Sequence, residues 1–217
     1  MKNITVAVLD TGSPTVNSAA WNATNWVSGG YDFVTDTTNG DGGGRDNDPT
    51  DAYSVASGKG SHGTHVGSTI GAKNDGNDFN GMAIKVLPVR VLGGPRGSGT
   101  TYDILDGIRF AAGLTDYQLG NPGVSAPSGV KVINLSLGYV GLGPCDIIDD
   151  VRSEGITIVA AAGNNQEDFP NQPFYPARCD GVIGVGALGV DNLRSSFSQV
   201  FNGVDIAAPG GDHEDLD

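Results

Sequence analysis

Three polar residues stand at the ends of apolar or small-residue segments: Asp10, His62 and Asn164. Asp10 closes the run Val6-Ala7-Val8-Leu9 and is followed by Thr11-Gly12. In open parallel sheets ligands bind beyond the carboxyl ends of the strands, so a carboxylate there is placed for catalysis. It could equally be an ordinary turn aspartate. His62 opens Gly63-Thr64-His65-Val66-Gly67-Ser68-Thr69-Ile70-Gly71-Ala72, a helix with small residues on one face, so its imidazole sits at the helix start, facing the cleft. His65, one turn on, is expected to point inward as a hydrogen-bonded structural histidine. Asn164 follows Val159-Ala160-Ala161-Ala162-Gly163, and an amide at the carboxyl edge of a sheet can donate to a developing oxyanion. Taken alone, it could be a turn asparagine.

Two other chemistries share these residues. Asp10-Thr11-Gly12 could belong to an aspartic protease, but that mechanism needs two carboxylates sharing a proton, and the chain has no second Asp-Thr/Ser-Gly. His62 and His65 at i, i+3 could bind a metal, but no glutamate accompanies them as in His-Glu-x-x-His. His213, near the C-terminus, is assigned no role.

The elements that must position these residues alternate. Short runs rich in Val and Ile at 4–9, 86–92, 130–135, 156–161, 182–187 and 204–207 read as strands buried on both faces. Residues 63–72, 102–112 and 146–153 read as helices. The second begins after the capping residues Thr100 and Thr101 and ends at Gly113. The third places Ile147, Ile148 and Val151 on one face. Such alternation predicts a mostly parallel sheet with helices on both faces.

At 217 residues the chain can hold one domain with a sizeable core. Its net charge, 12 − 25 = −13, argues against nucleic-acid and anionic-membrane partners and fits a protein that handles peptides or cations. No stretch approaches the ~20 apolar residues of a membrane span.

Together these segments resemble the subtilisin-like serine protease (subtilase) family, in particular its secreted bacterial members. The aspartate motif matches Val8-Leu9-Asp10-Thr11-Gly12, and the histidine motif matches His62-Gly63-Thr64-His65-Val66. The substrate-strand motif matches Val132-Ile133-Asn134-Leu135-Ser136-Leu137-Gly138, and the oxyanion motif matches Ala161-Ala162-Gly163-Asn164. Tyr175-Pro176-Ala177, Ser195-Ser196-Phe197-Ser198 and Ala207-Ala208-Pro209-Gly210 match later landmarks, in the family's order. The resemblance implies an α/β fold, a three-layer αβα sandwich with a largely parallel sheet, as a single peptidase domain over 1–217. It implies His62 as general base, Asp10 as the group orienting it, and Asn164 as oxyanion donor. Gly97, Ser98 and Gly99, Ser136, Leu137 and Gly138, and Ala162 and Gly163 would line the substrate; 97–99 could also be a flexible turn.

The family's nucleophile lies in Gly-Thr-Ser, a little beyond Ala-Pro-Gly, and no Gly-Thr-Ser occurs in this chain. The expectation is an incomplete domain whose serine lies past Asp217, inactive alone. The alternative is an inactive subtilase-fold fragment or pseudoprotease that binds peptide and calcium. The expected protein is a secreted monomer with peptide or protein substrates and a propeptide as a further partner, and no nucleic-acid or membrane partner.

Residues 36–60 form a long polar loop in which Asp41, Asp46, Asp48 and Asp51 concentrate hard oxygen ligands. Calcium takes 6–8 oxygens and would neutralise their repulsion; related secreted proteases carry a similar insertion. The alternative is a solvated acidic loop ordered by Arg45. Cys145 and Cys179 are either two buried thiols or a disulfide closing a loop of 179 − 145 = 34 residues; the resemblance points to the disulfide. Glu167 and Asp168 follow the oxyanion motif and could favour a basic residue before the scissile bond, or be surface loop.

Overall fold

The first strand, β1 (Thr5–Asp10), is buried along its whole length. Alternate strand residues face opposite sides, so burial of Val6 and Val8 as well as Ala7 and Leu9 demands cover on both. A computed structural model describes residues 4–38, 41–52, 62–74, 76, 81–120 and 122–211 and provides that cover. The chain forms two units, Met1–Asn134 and Leu135–Asp217.

The first unit contains β1, the short helix α1 (Ala19–Asn22), β2 (Tyr31–Asp32), α2 (His62–Gly71), β3 (Lys85–Arg90), α3 (Thr101–Ala112) and all but the last residue of β4 (Val130–Leu135). Its strands run parallel in the order β2-β3-β1-β4. On one face Val6, Val8 and Val86 form a core with Trp26, against which Val66 and Ile70 of α2 pack. On the other, Gly107 of α3 lies against Val91, Val89 and Leu9. Helices therefore cover both faces of this sheet, as the alternation predicted. The predicted caps of α3 hold: Thr100 and Asp103 form a reciprocal capping box, and Gly113 takes the left-handed conformation at the end.

Arg90 of β3 is register partner to both Asp10 and Asp32. Its guanidinium is ion-paired with the Asp32 carboxylate, and both side chains are fully buried. Burial pushes the Asp32 carboxyl up to about 7, against the pull of Arg90 and of the Val34 N–H it accepts.

The second unit contains β5 (Tyr139–Val140), α4 (Asp146–Ser153), β6 (Thr157–Ala161), β7 (Phe174–Tyr175), β8 (Val182–Leu188) and β9 (Ile206–Pro209). β6, β8 and β9 pair in parallel in that order, while β5 and β7 form a separate antiparallel pair. α4 packs on β6 through the predicted face, with Ile147, Ile148 and Val151 buried. Cys145, just before α4, is disulfide-bonded to Cys179. Burial on both faces fails in this unit: β6 and β8 alternate buried with less buried positions, and β9 is exposed throughout. Their apolar composition alone could not distinguish one covered face from two. β9 also begins two residues later than expected, at Ile206.

Candidate active site

Alternation along β1 puts the Asp10 side chain on the face of Val6 and Val8, the face that α2 covers. α2 can come close because its buried positions are Gly63, Gly67 and Gly71, one every fourth residue. A methyl group on Gly63 would strike the Gly12 carbonyl, one on Gly67 the Trp26 ring, and one on Gly71 the Val86 side chain. The Thr11 hydroxyl accepts from the Gly63 N–H at 3.1 Å and fastens the helix start to the aspartate motif. Gly12 turns the chain at φ +114°, and a Cβ there would press on the Pro49 carbonyl.

The outcome is a direct contact. His62 Nδ1 lies 2.7 Å from Asp10 Oδ1 and 2.9 Å from Oδ2. Asp10 Oδ1 also accepts the Thr11 N–H at 2.7 Å. Asp10 is fully buried, whereas the imidazole is 54% exposed. The hydrogen bond to Asp10 raises the His62 pKa above its ordinary 6.5; partial burial opposes this, and the charge of Asp10 adds to it. With Nδ1 committed to the carboxylate, proton exchange falls to Nε2.

In the second unit β6 runs into Ala162 and Gly163, both buried, and then into an exposed Asn164. The Ala162 N–H donates to the Val185 carbonyl at 2.8 Å. Gly163 turns at φ +101°, and a Cβ there would meet the Phe174 ring. Buried Gln199 holds both neighbours of Asn164. Its backbone N–H donates to the Gly163 carbonyl, and its Oε1 accepts from the Asn165 N–H, each at 3.0 Å.

The Subtilase family profile matches residues 1–216. This chain belongs to the Subtilase family. It is 38% identical over 227 residues to an extracellular protease of Xanthomonas campestris pv. campestris, covering 94% of this chain and 36% of that protein. It is 34% identical over 219 residues to the major intracellular serine protease of Bacillus subtilis strain 168, covering 96% of this chain and 58% of that protein. A solved structure of a protease from Pseudoalteromonas arctica PAMC 21717 superposes with a TM-score of 0.79 at 37% identity, over 97% of this chain and 63% of that one. This subtilase chain thus spans only part of the length of these relatives.

Of the other expected site segments of the subtilase chain, 97–99 lies at a turn and 136–138 follows the end of β4 without regular structure. Gly93 and Ser98 exchange backbone hydrogen bonds at 2.8 and 2.9 Å, so 97–99 is a paired bend. Gly97 sits beside Thr11, its Cβ position 3.2 Å from the Thr11 methyl, while Ser98 and Gly99 are exposed. In the second unit Leu137 is buried and Gly138 is exposed. The Phe174 ring lies against both Gly138 and Gly163, filling the space between them.

His65 corrects an expectation: it is exposed. The buried face of α2 belongs to the glycines, and position 65 lies off it. Glu167 and Asp168 are exposed. His213, Ser61 and loop residues 39–40 and 53–60 lie outside the described residues. Within the acidic loop, Asp41, Asp46 and Asp48 accept the N–H groups of Gly43, Asp48 and Thr50, respectively. Asp51 is buried, and its N–H donates to the Ser13 carbonyl. Arg45 reaches Asp106 at 2.8 Å, Asp103 at 3.4 Å and the Phe33 carbonyl at 3.2 Å. Among the described residues no three His, Cys, Asp or Glu side chains gather to hold a metal ion. Carboxylate oxygens of Asp46 and Asp41 both flank Gly43, 3.1 and 3.3 Å from where a Cβ on that residue would stand. No helix among the described residues is long and apolar enough to cross a membrane.

Sequence reading missed the Thr11 tie, the ring of Phe174 and the brackets of Gln199. Thr11 lies inside the aspartate motif, Val8-Leu9-Asp10-Thr11-Gly12; nothing in the sequence marks Gln199.

Proposed function

We propose that the protein bearing this chain is a secreted serine endopeptidase whose serine lies outside residues 1–217. The observation that carries this reading is the contact of buried Asp10 with Nδ1 of a half-exposed His62. In this mechanism His62 Nε2 takes the proton of the serine hydroxyl as it attacks the peptide carbonyl and returns it to the leaving amine. Asp10 stays ionised, fixes the tautomer and stabilises the imidazolium. Asn164 donates its amide to the oxyanion of the tetrahedral intermediate. Gly97, Ser98 and Gly99, and Ser136, Leu137 and Gly138, offer backbone to an extended peptide. Secretion is supported by the Cys145–Cys179 disulfide and by the extracellular relative.

The test is fluorophosphonate labelling of the protein from its natural source with intact-mass analysis. A labelled species heavier than this chain, or a labelled partner fragment, is the expected result. An unlabelled species ending at Asp217 would overturn it in favour of an inactive peptide-binding module.

Calcium in the acidic loop is a second proposal, supported by the convergence of Asp41 and Asp46 at Gly43. Backbone carbonyls and water would complete the oxygen set of such an ion. A melting temperature that falls in excess chelator is expected; an unchanged one would remove the ion.

A further inference from the structure

We propose that Gln199 is a positioning residue for Asn164, an inference that rests on the oxyanion role proposed above. Gln199 is 1% exposed. Its backbone N–H and side-chain Oε1 grip the residues on either side of Asn164, through the Gly163 carbonyl and the Asn165 N–H. Its Nε2 donates to the Phe169 carbonyl at 2.9 Å and to the Gln172 carbonyl at 3.0 Å. The side chain thus uses one acceptor and both donors. Only an amide of this length meets all three demands, because a carboxylate cannot donate and a shorter side chain cannot reach.

The consequence is mechanical. Asn164 is exposed. What fixes its backbone is the anchoring of positions 163 and 165 to one buried residue. The segment that follows is tied to the same amide at Phe169 and Gln172, and the Phe169 N–H returns to the Asn165 carbonyl at 2.8 Å. A fully satisfied buried network of this kind selects one backbone arrangement. An oxyanion donor displaced by about 1 Å can lose on the order of 100-fold in rate.

The experiment is a double-mutant cycle in the full-length, fluorophosphonate-reactive protease, with kcat and KM measured well below the melting temperature. Asn164→Ala is expected to lower kcat by roughly 100- to 1000-fold. Gln199→Ala is expected to lower kcat by about 10- to 100-fold with KM within about 2-fold. In the Asn164→Ala background, Gln199→Ala should cost nothing further, because the group it positions is gone. The isosteric Gln199→Glu keeps the acceptor for Asn165 but loses both donors, and should show the same kcat-only loss. Additive effects, a change confined to KM, or a Gln199→Glu protein that no longer folds would each overturn the proposal, the last because Gln199 would then serve the fold as a whole. An Asn164→Ala enzyme with undiminished kcat would instead sink the oxyanion reading itself.

Discussion

Both carboxylate oxygens of Asp10 lie within 3 Å of one ring nitrogen of His62, at 2.7 and 2.9 Å from Nδ1. The carboxylate is buried and the ring half exposed, so the pair presents a basic nitrogen to solvent from a fixed anionic support. This geometry holds the His62 pKa above 6.5.

The sign of the pH dependence follows. A histidine raised in the folded state lends stability that is fully present below pH 6.5 and is lost as pH rises through the folded value. The general-base role proposed for His62 runs the other way, since it requires the ring to lose its proton as pH rises through the folded value. An NMR titration of the imidazole protons should place the midpoint above 6.5, and Asp10→Asn should bring it down. A midpoint unmoved by Asp10→Asn would mean that the contact does not govern the ring.

Gly67 lets α2 close on Trp26, whose Cζ2 would stand 2.5 Å from an alanine Cβ there. Alanine is intrinsically the better helix former by about 1 kcal/mol. Overpacking nonetheless outweighs that gain, and Gly67→Ala is expected to destabilise by about 1–3 kcal/mol. Denaturant unfolding measures the loss, and a shifted tryptophan emission would locate it.

The Arg90–Asp32 pair lies fully buried in the first unit. Asp32→Ala takes the ion-paired carboxylate away from a buried guanidinium and should cost about 3–5 kcal/mol. Asp32→Ala with Arg90→Met should recover much of this, since an apolar side chain carries no desolvation penalty. Equal losses in the single and double variants would refute that account.

Cys145 and Cys179 close a loop of 34 residues. In the chain-entropy picture the bond is worth about 3–4 kcal/mol. The paired Cys145→Ser and Cys179→Ser variant should lose about that much, read as a lower denaturation midpoint. A protein equally stable to reducing agent would argue that the bond is incidental.

The sequence by itself determined the longer elements and the identities of the proposed catalytic side chains, but not the short α1, β2, β5 and β7. Apolar runs and capping residues suffice for β1, α3 and α4, because strand burial, helix periodicity and caps are local properties. Asp10, His62 and Asn164 were legible because Asp10 ends β1, His62 opens α2 and Asn164 follows β6, each in a motif of contiguous residues. Only the tertiary structure decided what sits against what. The glycine face of α2 was visible as small residues, but not that it meets Gly12, Trp26 and Val86, nor that His65 lies outside it. Gln199 lies 35 positions beyond Asn164 (199 − 164) in a stretch with no periodicity, and its role exists only because a buried amide must find partners where the fold puts them. The acidic loop divided for the same reason: composition gathered the aspartates, but backbone turns decided which carboxylates flank Gly43, while Arg45 turned to Asp103 and Asp106 instead.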